Sequence, residues 1–233
     1  MNRMVYGVKA KGSISVKIDK NEVLRYLGFK RGRTKEDKRV KDLINYTIED
    51  VVEVIKPRYA FDTFRIKKEP QGIVADDTNL VIDCSAVVRL LDTSRYITIM
   101  VVTVGKELET LIDRLFKEGK FTEGSIADAV GSEAVEKAAD AVNDIVKERA
   151  AEMGYHITKR FSPGYGGWNL KVQRKLLELS GGCDIGVTVN ENDMLVPRKS
   201  VTAVIGWTRE GQENLSHKCT YCSMNSCGFK GEL

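Results

Sequence analysis

A single run of β-forming residues, 95–104, constrains the fold of this chain more than any other feature. The run is mostly apolar and rich in β-branched side chains, a composition typical of a strand that is buried on both faces. Gly105 follows it, and residues 106–117 then show the spacing of an amphipathic helix. A strand, a glycine and a helix N-terminus in this order can bind an anion, although packing alone also explains them. The rest of the chain must cover both faces of a central strand.

The remaining patterns predict both strands and helices. Ile14, Val16 and Ile18 alternate with polar residues, which predicts extended structure within residues 1–18. Further strands are predicted at residues 59–68, 73–82, 185–189 and 200–207, and further helices at residues 19–28, 34–56, 85–91, 131–153 and 169–179. We therefore predict an α+β fold in which a twisted, largely antiparallel sheet packs with several helices. The glycine-rich strand–helix fingerprint of the doubly wound methyltransferase fold is not present in the sequence.

Composition argues against several classes of function. The 233 residues suit one large domain or two small ones, and a hydrophobic share of 42% is enough for a core. The net charge of +4 is too small to indicate a nucleic-acid partner. No apolar run reaches membrane-spanning length, and residues 1–4 lack the apolar core of a signal peptide. We expect a cytoplasmic protein whose partner is neither a nucleic acid nor a membrane.

Residues 160–168, Arg-Phe-Ser-Pro-Gly-Tyr-Gly-Gly-Trp, form the densest cluster of turn-forming and aromatic residues in the chain. Pro163 and Gly164 make a turn dipeptide. Arg160 offers a fixed fork of donors that suits a carboxylate, and Tyr165 and Trp168 offer flat faces to a ring or a cation. The segment therefore suits a small zwitterionic or cationic ligand. An ordinary loop between two helices is the alternative.

The Arg-x-x-Pro-Gly-Tyr pattern of residues 160–165 is similar to the signature of the activation domain of vitamin B12-dependent methionine synthase. The helix predicted after it and the sequence Met-Leu-Val-Pro-Arg-Lys-Ser-Val at residues 194–201 fit the same family. The chain resembles stand-alone versions of that domain, most specifically over residues 131–207. The resemblance implies the activation-domain fold for residues 1–210 and leaves residues 211–233 as a short cysteine-rich tail.

The resemblance implies that the turn binds S-adenosylmethionine. Arg160 would pair with the methionine carboxylate of that ligand. The backbone at Ser162 and Gly164 would form hydrogen bonds with its polar edges, and Tyr165 would pack against it. The chemistry asks for positioning of a methyl group and little acid or base catalysis, so no catalytic residue is assigned.

The resemblance also implies an acid on the preceding helix, which would complement the ammonium group of the ligand. Asp140 lies nearest to that role and Glu136 is the alternative. Both belong to an acidic stripe at near-helical spacing, which by itself is also explained as a solvated helix face. The stripe consists of Glu133, Glu136, Asp140, Asp144 and Glu148.

The tail contains three cysteines within nine residues, at positions 219, 222 and 227. With His217, the thiolates of Cys219, Cys222 and Cys227 could complete a tetrahedral zinc site. The three thiolates could instead hold an iron–sulfur cluster with a ligand from elsewhere. A tail with thiols that bind no metal is the third interpretation. Cys84 and Cys183 stand alone and are predicted to be small buried residues.

In the family, the activation domain presents the methyl group of S-adenosylmethionine to cobalamin. A stand-alone domain would meet that cobalamin on a corrinoid-binding methionine synthase or methyltransferase protein, with flavodoxin or ferredoxin as the electron donor. The chain would then act in trans, as a reactivation component of a methyltransferase. Two alternatives stay open: a metal- or iron–sulfur-binding redox adaptor for a corrinoid protein, and a non-catalytic S-adenosylmethionine sensor.

Overall fold

The computed structural model describes residues 8–30 and 37–209, which form a seven-stranded antiparallel sheet flanked by helices. The sheet contains β1 (Ala10–Ser13), β2 (Arg58–Glu69), β3 (Gly72–Ala75), β4 (Val81–Ile82), β5 (Ser94–Thr103), β6 (His156–Ile157) and β9 (Ser200–Thr208). Its main path runs β4-β3-β2-β5-β9-β6. β1 and β3 share one edge of β2, at opposite ends of that strand. β7 (Thr188–Val189) and β8 (Leu195–Val196) form a separate pair. The predicted α+β class is confirmed.

Six α-helices are present within these described ranges. They are α1 (Lys20–Tyr26), α2 (Lys38–Val54), α3 (Ser85–Leu90), α4 (Glu107–Lys117), α5 (Phe121–Glu152) and α6 (Gln173–Ser180). The side chains of Asp19 and Asp37 accept backbone N–H bonds at the N-termini of α1 and α2. Asn169 does the same for the 3-10 turn Leu170–Val172, which leads into α6. Although it is 32 residues long, α5 is not apolar enough to cross a membrane, and neither is any other helix among the residues described.

The predicted central strand is confirmed as β5, which lies between β2 and β9. Met100 and Val102 point into a core formed with α1, α2, α4 and α5. Ile97 and Ile99 point into a second core formed with α3 and α6. All four side chains are fully buried. Helices on both faces explain why this strand is almost uniformly apolar.

The predicted start of the long helix at Gly131 is wrong, because α5 begins ten residues earlier, at Phe121. Gly131 is buried inside the helix, where a Cβ atom would overlap Leu108 Cδ2 of α4. The glycine therefore allows two helices to approach closely instead of ending one. The spacing of Ser125 and Asp128 is typical of a helix-capping box, but Ser125 lies inside α5, where its hydroxyl donates to the carbonyl of Phe121 one turn back, at 2.9 Å.

Three shorter predictions also need correction. Within residues 185–189 the strand is confined to Thr188–Val189, because Gly182–Ile185 forms a 3-10 turn. Helix α2 begins at Lys38 behind Asp37. Cys183 is exposed and Cys84 is half-buried, so neither is a fully buried residue. Residues 34–36 of the predicted helix and the tail, residues 211–233, lie outside the described residues.

The anion position suggested by Gly105 is occupied by the chain itself. The carboxylate of Glu107, in the first turn of α4, accepts from Lys56 Nζ at 2.9 Å. This pair and a backbone N–H bond at the helix start lower the pKa of Glu107. Packing and local charge therefore account for the strand–glycine–helix arrangement.

Candidate functional site

The segment that carries Arg160 is fastened to the edge of the sheet. Thr158 N donates to the carbonyl of Gly206 at 2.8 Å, and Gly206 N donates to Thr158 Oγ1 at 2.9 Å. Phe161 then forms a two-way bridge with Val204, with N···O distances of 3.0 and 2.9 Å. These bonds extend the short β6 pairing with β9. The backbone of Arg160 is therefore held between two points on one strand.

The guanidinium of Arg160 bridges the two acids that the resemblance singled out. Its Nη1 atom lies 2.5 Å from Asp140 Oδ1, and its Nη2 atom lies 2.6 Å from Glu136 Oε2. Both acids are on α5, one helical turn apart, and so they share a face of the helix. The structure thus brings Arg160 together with two acids that lie 20 and 24 positions before it in sequence.

Burial differs among the three members of this cluster. The side chain of Arg160 is 15% exposed, whereas Glu136 is 40% and Asp140 is 58% exposed. One guanidinium between two carboxylates leaves a net negative charge. Each acid also has a second carboxylate oxygen beyond the one that bonds Arg160. The arrangement can therefore receive a cation without breaking a bond, whereas a ligand carboxylate would have to displace one of the acids from Arg160.

The turn after Arg160 is built by glycines and anchored by two buried residues, Pro163 and Trp168. Gly164 has a φ of 92°, and its N–H donates to the carbonyl of Trp168 at 2.7 Å. Because this N–H is already engaged, the predicted ligand contact at Gly164 would have to use the other backbone atoms of the residue. At Gly166, with φ of 56°, a Cβ atom would lie 2.8 Å from Phe161 Cζ.

The two aromatic residues predicted to meet a ligand, Tyr165 and Trp168, differ in accessibility. Tyr165 is highly exposed, and its N–H donates to the carbonyl of Ser162 at 3.4 Å. The ring of Trp168 packs against Phe161 in the core instead, with ring centroids 6.3 Å apart. Tyr165 is therefore the aromatic residue of this turn that can meet a ligand, and Trp168 is structural.

Two residues close enough to Glu136 to feel its charge or to pack beside it, Tyr26 and Arg25, were not predicted from the sequence as parts of this region. Tyr26, at the end of α1, has its pKa raised by burial and then by the negative charge of Glu136. The guanidinium of Arg25 lies 4.5 Å from the centre of its ring. The signal that could have indicated Tyr26 is its position as an aromatic residue at the end of a helix that packs on α5. More than 100 positions separate it from the acids, so spacing could not place it.

The burial of Glu133 shows that the acidic stripe is not a single solvated helix face. This residue is only 3% exposed, because α1 covers it. Its carboxylate accepts from Asp19 N at 3.4 Å and lies 3.7 Å from Lys137 Nζ. Burial raises the pKa of Glu133. The stripe is therefore divided, since Glu133 supports the packing of α1 while Glu136 and Asp140 face Arg160.

No group of three His, Cys, Asp or Glu side chains that could hold a metal ion occurs within residues 8–30 and 37–209. Cys219, Cys222, Cys227 and His217 lie outside those ranges, so the zinc or iron–sulfur site in the tail stays a prediction. Cys84 has a structural contact, since its thiol lies 3.6 Å from the carbonyl of Gly166 in the turn.

Thirteen chains of solved structures are similar to this chain. One is a crystal structure of the MetH reactivation domain bound to AdoHcy, with a TM-score of 0.66 and 16% sequence identity, covering 88% of this chain and 80% of that chain. No family model and no curated protein matches the chain by sequence. The resemblance to the activation domain is confirmed at the level of the fold, and the roles of the individual residues stay predictions.

Proposed function

We propose that this chain binds S-adenosylmethionine and uses its methyl group to reactivate a corrinoid protein, either a methionine synthase or a related methyltransferase. One observation carries the proposal. On a fold shared with a domain whose crystal structure contains AdoHcy, Arg160 joins Glu136 and Asp140 beside the Pro-Gly-Tyr turn. AdoHcy is what remains when S-adenosylmethionine gives up its methyl group.

The charge of the cluster suits this ligand. S-adenosylmethionine carries a sulfonium and an ammonium group together with one carboxylate, so its net charge is positive. The Arg160 cluster has the opposite net charge, with two carboxylates around one guanidinium. A cation and an anion placed side by side on the ligand therefore match the acids and the arginine of the protein.

The difference in exposure between Glu136 and Asp140 indicates which acid pairs with the ligand and which one positions Arg160. Asp140 is the more exposed acid, so releasing it from Arg160 costs less than releasing Glu136. The ligand carboxylate would take the place of Asp140 on Arg160, and Asp140 would pair with the ligand ammonium. Glu136 would keep its bond to Arg160 and hold the guanidinium in position. Tyr165 and the backbone at Ser162 would line the ligand on the side of the turn.

The reaction asks mainly for positioning. A corrinoid on the partner protein would supply a reduced cobalt that accepts the methyl group, with the electron coming from a flavodoxin or ferredoxin. The residues of this chain would hold the sulfonium so that its methyl group faces the partner, because displacement at carbon requires an in-line approach. The chain would thus be a component of a methyltransferase acting in trans.

Calorimetric titration with S-adenosylmethionine tests the proposal. We expect saturable binding by the wild type, and binding weaker by about ten- to a hundredfold in Arg160→Ala, as expected for a lost charged hydrogen bond. Arg198→Ala is a matched control, since Arg198 also bridges two helix acids, Glu109 and Asp113, but lies in the loop before β9, away from the turn. That variant should bind like the wild type.

Two outcomes would count against the proposal. If the folded wild type does not bind S-adenosylmethionine, the redox-adaptor alternative gains support. If binding occurs but a cob(II)alamin protein, an electron donor and S-adenosylmethionine give no methylation in the presence of the chain, the sensor alternative gains support. Equal affinities for Arg160→Ala and the wild type would contradict the role of Arg160.

A further inference from the structure

A second cluster of charged residues surrounds an open cavity of about 460 Å³ at the edge of the sheet where β5 begins and β9 ends. Its lining includes three arginines, Arg65, Arg95 and Arg209. Met153 and Tyr155 form the wall beyond the end of α5. Asp140 lies thirteen positions before Met153, the residue that follows the last turn of α5, which is a distance of roughly 20 Å along the helix axis. The cavity contains no residue of the Arg160 cluster.

Strand pairing and a bulge bring the three arginines together. Arg65 on β2 stands opposite Tyr96 on β5. The register of β5 with β9 shifts between Ser94 and Tyr96, so Arg95 is the extra residue of a β-bulge. Arg209 directly follows β9, whose last pair is Thr208 with Ser94. A bulge redirects a side chain that regular alternation would place elsewhere.

None of these three guanidinium groups forms an ion pair with a carboxylate in the part of the chain that the structure describes. Asp62 and Asp92, each three residues before an arginine of the cavity, face lysines instead: Asp62 lies 3.9 Å from Lys9 Nζ and Asp92 lies 2.5 Å from Lys68 Nζ. The guanidinium of Arg209 instead lies 5.4 Å from the centre of the Tyr155 ring. Three like charges around one cavity repel one another, and an anion with several negative charges would relieve that repulsion.

The cavity also has apolar walls. Ile66, Met153 and the rings of Tyr96 and Tyr155 supply apolar surface. The volume lies in the range of sites for small organic ligands and exceeds what a single inorganic anion fills.

We propose that this cavity is a binding site for a small phosphorylated organic molecule, whose phosphate is held by Arg65, Arg95 and Arg209. The fork of a guanidinium matches two phosphate oxygens at once, which favours a phosphate over a compact monovalent anion. The organic part of the ligand lies against Ile66 and Met153. This site is separate from the proposed S-adenosylmethionine site and does not depend on it.

Inorganic pyrophosphate is the probe for the phosphate-binding part of the site. We expect saturable binding by calorimetry and a rise in the melting temperature at fixed ionic strength, with affinity reduced about tenfold in Arg95→Gln and in Arg209→Gln. Both arginines are exposed, so both variants should fold. Arg198→Gln removes the same charge from an exposed position outside the cavity and should bind like the wild type.

The outcomes distinguish specific binding in the cavity from non-specific attraction of an anion to a basic protein. Loss of binding in the cavity variants but not in Arg198→Gln supports the site. The proposal is overturned if pyrophosphate does not saturate, or if all three variants weaken binding equally. It is also overturned if glycerol 3-phosphate binds less tightly than inorganic phosphate, because the apolar walls then contribute nothing. Arg160→Ala should leave pyrophosphate binding unchanged, so failure here is distinguishable from failure of the methyl-donor site.

Discussion

Arg160 and Arg198 are held by the same arrangement of acids in two different regions of the molecule. Arg160 bridges Glu136 and Asp140 on α5, and Arg198 bridges Glu109 and Asp113 on α4. Both acid pairs have the spacing Glu-x-x-x-Asp. The two clusters differ in burial, since the side chain of Arg160 is 15% exposed and that of Arg198 is 62% exposed.

This difference shows that the environment, and not the ion-pair pattern, distinguishes a candidate site from a surface contact. The distances agree with the burial: Arg160 lies 2.5 and 2.6 Å from its acids, whereas the guanidinium of Arg198 lies 3.2 and 3.6 Å from its own. Solvated ion pairs contribute about 0–1 kcal/mol, while part-buried charged hydrogen bonds contribute more. Only the Arg160 cluster lies beside a glycine-rich turn with an exposed tyrosine.

The largest difference between the two clusters should appear in stability. Arg160→Ala leaves two like charges one turn apart beside the buried Glu133, so we expect a loss of about 1–2 kcal/mol in the free energy of unfolding. Arg198→Ala should cost about 0.5 kcal/mol or less, because its partners are solvated. Urea unfolding of both variants at low and high salt measures this. Equal losses would contradict the distinction drawn from burial.

The acid pairs allow a second comparison, in ligand binding. Replacing Glu136 and Asp140 by Gln and Asn keeps their shapes but removes the negative charge around Arg160, so S-adenosylmethionine should bind about tenfold more weakly. The same double replacement at Glu109 and Asp113 should change the affinity by less than about twofold. Calorimetry compares the two double variants. Binding that survives in the α5 variant would assign the ligand cation to another part of the chain.

The smallest predicted effect concerns Glu133, the buried neighbour of the Arg160 cluster. Its raised pKa means that the folded chain favours the protonated form, so the stability linked to this group is present at acidic pH and is lost as the pH rises through the raised pKa. Glu133→Gln keeps an acceptor for Asp19 N and carries no charge. We expect it to increase the free energy of unfolding at pH 7 by about 0.5 kcal/mol, and by less near pH 4.

Glu148→Gln, at an exposed position on the same helix, is the control for Glu133→Gln. Its stability should follow that of the wild type at both pH values. Thermal unfolding at pH 4 and pH 7 gives the comparison. A loss of stability in Glu133→Gln at pH 7 would show that the contact with Lys137 outweighs the burial of the carboxylate.

Much of the fold could be predicted because the responsible signals are local. Asp19, Asp37 and Asn169 mark their helix starts through bonds to backbone groups within three residues. The long helix was misjudged at its start because Gly131 and Ser125 look like boundary residues. The place of Gly131 inside α5 depends on its contact with Leu108 of another helix, which no local pattern reports.

The sequence by itself determined the central strand, most helices, the Arg-x-x-Pro-Gly-Tyr turn and the presence of two Glu-x-x-x-Asp pairs, because each depends on neighbouring residues and their periodicity. Only the tertiary structure decided which pair meets Arg160. That choice follows from the bridge of Phe161 to β9 and from the packing of α1 on α5. The same holds for the arginine cavity, because residues 65, 95 and 209 come together only through strand pairing. Contacts between distant residues depend on the packing of whole elements, which local spacing does not encode.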